Sequence, residues 1–115
     1  MNPETARPDW LTEPCPAWCD GRHDDQSMVD DRRHCSAYEV VPIIQPSERW
    51  PRGRHRPNDD VEAEELNVLA FRDVSARETW VAIANDRQKV EVTLESAVRL
   101  HAALGVLLGR ATAMA

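Results

Sequence analysis

Between residues 65 and 93 the chain alternates apolar and polar positions in short runs broken by turn residues. In residues 65–74, Leu66, Val68, Ala70 and Val74 share one side of an extended chain, while Leu69 and Phe71 face the other way. Residues 78–84, with Trp80, Val81 and Ile83, predict a second strand, and residues 88–93 a shorter third. Ser75, Ala76 and Arg77 form one connection. Asn85-Asp86-Arg87 forms the other, because Asn and Asp tolerate left-handed backbone and bond their own chain. Two successive hairpins make a meander. Upstream, residues 35–45 (CSAYEVVPIIQ) are β-branched and read as one more strand. Pro42 has no N–H for a ladder, so that strand belongs at an edge or a bulge.

From residue 94 the period lengthens. Ala97, Leu100, Leu104, Leu107, Leu108 and Ala111 fall on one helical stripe, so a helix is predicted over residues 94–113. Thr93 stands where an N-cap belongs, and Glu95 sits at the positive end of the helix dipole. The leucine stripe is expected to face the sheet. The predicted fold is α+β: a small antiparallel sheet of three to four strands packed by a C-terminal helix, with an N-terminal zinc-knuckle-like head.

A chain of 115 residues fits one domain. All eight prolines precede residue 58. The reading divides the chain into a flexible tail (1–14), a metal-binding head (15–35), strands with a long polar loop at 46–64 (36–93), and the helix (94–113). Trp18 and Trp80 are expected as core anchors, with Trp10 and Trp50 in loops.

Charge then narrows the function classes. A net charge of -6 argues against a generally basic nucleic-acid binder. The length excludes a TIM barrel or a complete two-half dinucleotide fold. No apolar run is long enough to span a bilayer, and residues 1–9 show no secretory pattern, so a cytoplasmic protein with reduced thiols is expected.

The chemistry concentrates in the head. All three cysteines and two of the four histidines lie within 21 positions: Cys15, Cys19, His23, His34 and Cys35. Thiolate and imidazole are the donors that Zn2+ takes in a tetrahedron. The spacing C-x3-C-x3-H-x10 ends at His34, with Cys35 as the alternative fourth ligand. The competing readings are scattered residues in an unstructured head and a Cys15–Cys19 disulfide. Three cysteines are too few for an all-thiolate iron–sulfur cluster. Four protein ligands favour a closed structural zinc over a catalytic one, although Asp20, Asp24 and Asp25 lie close enough in sequence to serve as bases in a small metallohydrolase.

The Cys-Pro-x-Trp-Cys…His head, the strand that begins just after it and the tail VEVTLESAVRLHAAL resemble a family of small uncharacterised actinobacterial and phage-associated proteins. The resemblance covers about residues 15–112. It implies a metal-binding fold, with the family's Cys/His positions falling on Cys15, Cys19, His23 and His34. It implies no activity. Cys35 beside His34 departs from the family pattern and leaves the fourth ligand open.

Two further features carry expectations. Arg49, Arg52, Arg54 and Arg56, with Trp50 among them, could contact phosphates and stack a base. Asp59, Asp60, Glu62, Glu64 and Glu65 just downstream neutralise them, so nucleic acid is not the favoured partner. The helix has small or apolar residues beside its leucine stripe as well, which points to a second buried face, covered either by the head or first strand of the same chain or by a second copy in a homodimer. The favoured reading is a non-enzymatic, zinc-stabilised binding or adaptor protein with a protein partner. A nucleic-acid-binding regulator is the alternative, and a metallohydrolase the weaker one.

Overall fold

The computed structural model describes residues 7–47 and 61–113. The sheet is antiparallel throughout and has five strands: Arg33–Cys35 (β1), Glu39–Pro46 (β2), Val61–Asp73 (β3), Trp80–Ala84 (β4) and Lys89–Thr93 (β5). A helix, Leu94–Ala113 (α1), ends the described chain, and a 3-10 turn, Val29–Asp31, precedes β1. The expected α+β class holds, with one strand more than the expected three to four.

The extra strand comes from splitting the run at residues 35–45. Residues 36–38 break it, so β1 pairs with the end of β3 (His34 opposite Arg72) and β2 with its beginning (Val41 opposite Leu66). Ser36 anchors the break: its hydroxyl accepts the Ala70 N–H at 2.9 Å, and its own N–H donates to the Ala70 carbonyl. Pro42 lies in β2, an edge strand, the place in a sheet where a residue without an N–H is tolerated.

The long strand β3 begins at Val61, inside the stretch read as loop at 46–64. Glu62 and Glu64, with the prolines, glycine and mixed charge before them, made that stretch look like solvated loop. The β-branched partner β2 supplies a ladder regardless, and Glu62 is held by Arg87 at 2.5 Å. Arg49, Arg52, Arg54 and Arg56 lie outside the described residues, as does Trp50.

The Asn85–Arg87 turn closes the β4–β5 hairpin as expected, with the Asn85 side chain accepting the Arg87 N–H at 2.9 Å. Thr93 caps α1: its hydroxyl accepts the Ser96 N–H at 3.1 Å.

The expectation that the leucine stripe covers the sheet is corrected. β5 ends at Thr93 and α1 starts at Leu94, with no residue between them for reversing the chain. The helix therefore leaves the end of β5 and touches the sheet only at its first turn. Leu100, Leu104, Leu107 and Leu108 are all exposed.

The sheet face they were expected to cover is apolar across four strands. Val41 lies opposite Leu66, and Val68 opposite Ile83, which in turn lies opposite Val90. None of these is fully buried. The Cα radius of gyration, 18.7 Å, exceeds the roughly 13 Å of a compact domain this long, in keeping with a projecting helix.

Burial sits elsewhere. Among the described residues the buried apolar side chains are Leu11 and Phe71, and the buried polar ones are His23, Gln26 and His34. Trp80, expected in the core, is exposed, and Trp18 is half-buried. Among the described residues, the least exposed side chain is that of a histidine, His34, and His23 is buried near it.

Candidate metal centre

Three local structures bring the donors together. The first is the turn at residues 16–19, closed by a 3.0 Å bond from the Cys19 N–H to the Pro16 carbonyl, which sets Cys15 and Cys19 at its two ends. The second is the bend after it. Gly21 has φ +77, a left-handed backbone that glycine adopts without strain, and its N–H donates to the Cys19 sulfur at 3.4 Å. The third is β1, which carries His34 in from the edge of the sheet.

One donor atom from each of Cys15, Cys19, His23 and His34 lies within 4.8 Å of the other three. His23 Nε2 is 3.4 Å from the Cys15 sulfur and 3.6 Å from the Cys19 sulfur. Ligands held about 2.0–2.3 Å from one ion in a tetrahedron stand roughly 3.3–3.8 Å apart, so these separations suit a shared ion. All three cysteines are free, and no Cys15–Cys19 disulfide forms.

Each histidine has one nitrogen engaged and one left for the cluster. His23 Nδ1 bonds Gln26 Oε1 at 2.9 Å, and that same oxygen accepts the Arg33 N–H at 3.1 Å. His34 Nε2 bonds Glu13 Oε2 at 2.8 Å. His34 is 0% exposed, and its Nδ1 is buried with no hydrogen-bond partner. A buried polar atom without a partner costs on the order of 1–3 kcal/mol. A metal ion would remove that cost. Bonding the second nitrogen to a carboxylate or amide is how ligating histidines are oriented.

Cys35 stands outside the four-donor group. Alternation along β1 turns it to the face of Phe71, opposite to His34. Burial pushes its thiol up, as it does the Cys19 thiol. For Cys19 the Gly21 and Cys35 N–H groups act in the other direction, since both point at the sulfur.

The head is larger than the sequence reading drew it. Residues 7–14, assigned to a flexible tail, carry Leu11, which is buried, and Glu13, which bridges head and sheet. One Glu13 oxygen takes His34, and the other accepts the Ser75 N–H at 2.6 Å; Arg72 stands 3.6 Å away. Ser75 has φ 73, a left-handed conformation in the turn after β3 that aims this N–H. The hydrogen bond to His34, foremost, holds the Glu13 carboxyl below its ordinary range.

Trp10 is part of the head too. It packs edge-on against the His23 ring, with centroids 5.7 Å apart, and carries the Arg32 guanidinium 4.6 Å above it. The signal for these residues was the Trp10-Leu11 pair in an otherwise polar stretch, since two large apolar side chains need cover. Nothing in the sequence singled out Gln26.

Asp20, considered as a base, spends its Oδ1 on the Arg22 N–H at 3.0 Å. Asp24 and Asp25 are exposed. Among the described residues no helix is long and apolar enough to cross a membrane.

Over residues 1–115 the chain matches a domain of unknown function, DUF6907, and it belongs to that family. It matches no curated protein and no solved structure.

Proposed function

We propose that this DUF6907 chain is a zinc-stabilised, non-enzymatic binding module whose Cys15, Cys19, His23 and His34 hold one structural Zn2+. The observation that carries the reading is His34 Nδ1: a buried nitrogen without a partner, on the most buried residue described, in a ring whose other nitrogen is fixed by Glu13. Zinc fits this donor set better than calcium or magnesium, which take oxygen ligands. Bound there, the ion would cross-link the turn at Cys15 and Cys19, the bend at His23 and the strand residue His34. Four protein donors leave no open position for a substrate or an activated water, which supports a structural role over hydrolysis.

The partner class that fits is protein. Met28 and Val29 on the head and Tyr38 beside β2 are exposed apolar side chains on a chain whose net charge is -6.

Elemental analysis of untagged protein tests the metal. About one zinc per chain is expected, and protein without zinc after expression in zinc-supplemented medium would overturn the reading. Cobalt substitution tests the closed site. A four-coordinate thiolate–cobalt spectrum that azide leaves unchanged is expected, whereas an azide-induced shift would reveal an open position and favour the hydrolase.

A further inference from the structure

We infer that the leucine face of α1 lies on the apolar sheet face of a second copy of this chain, each copy covering the other. Both surfaces belong to one polypeptide, and the described residues leave the helix leucines exposed and the sheet face no more than half-buried. Leu104 is 48% exposed on the helix, and Val90 is 48% exposed on the sheet. A sheet face and a helix stripe of this kind are the two layers that an α+β domain normally buries against each other.

The covalent path prevents that burial within the chain. Connections between a helix and a strand usually take 2–6 residues. Here there is none, and α1 runs on from β5 with every residue from 98 to 113 exposed.

The rest of the chain is a poor cover. Residues 1–6, 48–60 and 114–115 contain Met1, Trp50 and Met114 as their only large apolar side chains. The segment at 48–60 is otherwise charged or turn-forming. A second copy brings a surface of matching chemistry. It also satisfies both surfaces at once, because in a two-fold pair helix-on-sheet in one direction implies the same in the other.

The helix composition agrees. Gly105 and Gly109 lie inside α1, and a Cβ at either would meet nothing within 4 Å, so packing inside the chain does not require them. Glycine in a helix interior costs about 1 kcal/mol relative to alanine. Their flat strip beside the leucines would let the helix approach a sheet closely. Glu95, Arg99 and Arg110 form the polar strip left for solvent.

The inference does not rest on the zinc site, so zinc content is measured alongside as a separate readout. Light scattering coupled to size exclusion on zinc-loaded full-length protein at high micromolar concentration should give twice the 13.0 kDa chain mass. Leu104→Glu, on the helix, and Val90→Glu, on the sheet, should each give monomers with zinc content and circular dichroism unchanged. Both positions are exposed in the single chain, so neither change should unfold it. Mixing the two variants should restore association in part, because the intact helix of one fits the intact sheet of the other while the second contact of the pair carries both glutamates. A monomeric wild type would overturn the proposal. So would a Val90→Glu variant as dimeric as wild type, which would mean that helices pair with helices.

Discussion

The His34 Nε2 atom lies 2.8 Å from Glu13 Oε2, joining a strand residue to a segment 21 positions earlier in the chain. This contact fixes the ring so that Nδ1 is the nitrogen left for the Cys15, Cys19 and His23 cluster. Through its second oxygen, Glu13 also holds the turn after β3. The metal head and the sheet thus share one carboxylate.

Glu13→Gln should therefore weaken zinc binding without removing a ligand. Losing the partner that orients a ligating histidine costs roughly 10–100-fold in metal affinity. Competition against a chromophoric chelator would read the change. Affinity equal to wild type would show that the carboxylate does not support the site.

Zinc loading should release protons. Burial raises the Cys19 thiol, so the metal-free head carries that proton at neutral pH, whereas a zinc ligand must be thiolate. The sign follows: acid opposes binding, and apparent affinity climbs with pH until the thiols ionise unaided. For the proton that Cys19 gives up on binding, log K should rise by up to about one per pH unit. Calorimetry in buffers of different ionisation enthalpy counts the protons. A count of zero would exclude thiol ligation.

Chelation should open the head first. Arg22 and Arg32 both lie in the segment that the four donors enclose. EDTA-treated protein should be cut by trypsin at these sites well before zinc-loaded protein, and mass spectrometry of early fragments would show it. Cys15→Ser should behave like the chelated protein. Equal cleavage with and without zinc would mean that the ion does not order this segment.

Removal of the helix cap has a local cost. Thr93→Ala loses the bond to the Ser96 N–H and should destabilise the protein by about 1 kcal/mol, with a drop in helical circular dichroism. Urea unfolding measures it. Thr93→Ser should retain most of the stability, since its hydroxyl can still accept the bond.

The local decisions were legible in the residues. The alternation from Leu66 to Phe71, the Asn85-Asp86 turn and the Thr93 cap each express a rule that acts within a few residues, and the structure follows them. So does the gathering of Cys15, Cys19, His23 and His34, because thiol and imidazole at short spacing in a polar stretch have little other use. Features that depend on distant partners were not legible. The strand expected at residues 35–45 breaks at 36–38 because β3 gives its two halves separate places. β3 reaches back to Val61 because β2 pairs with it despite the glutamates. Glu13 and Trp10 join the head only because the fold brings the N-terminal segment beside His34, Ser75 and Arg32. Pattern fixes which face of an element is apolar. Whether that face meets its own chain depends on the connection, and between Thr93 and Leu94 there is no residue to turn the helix back.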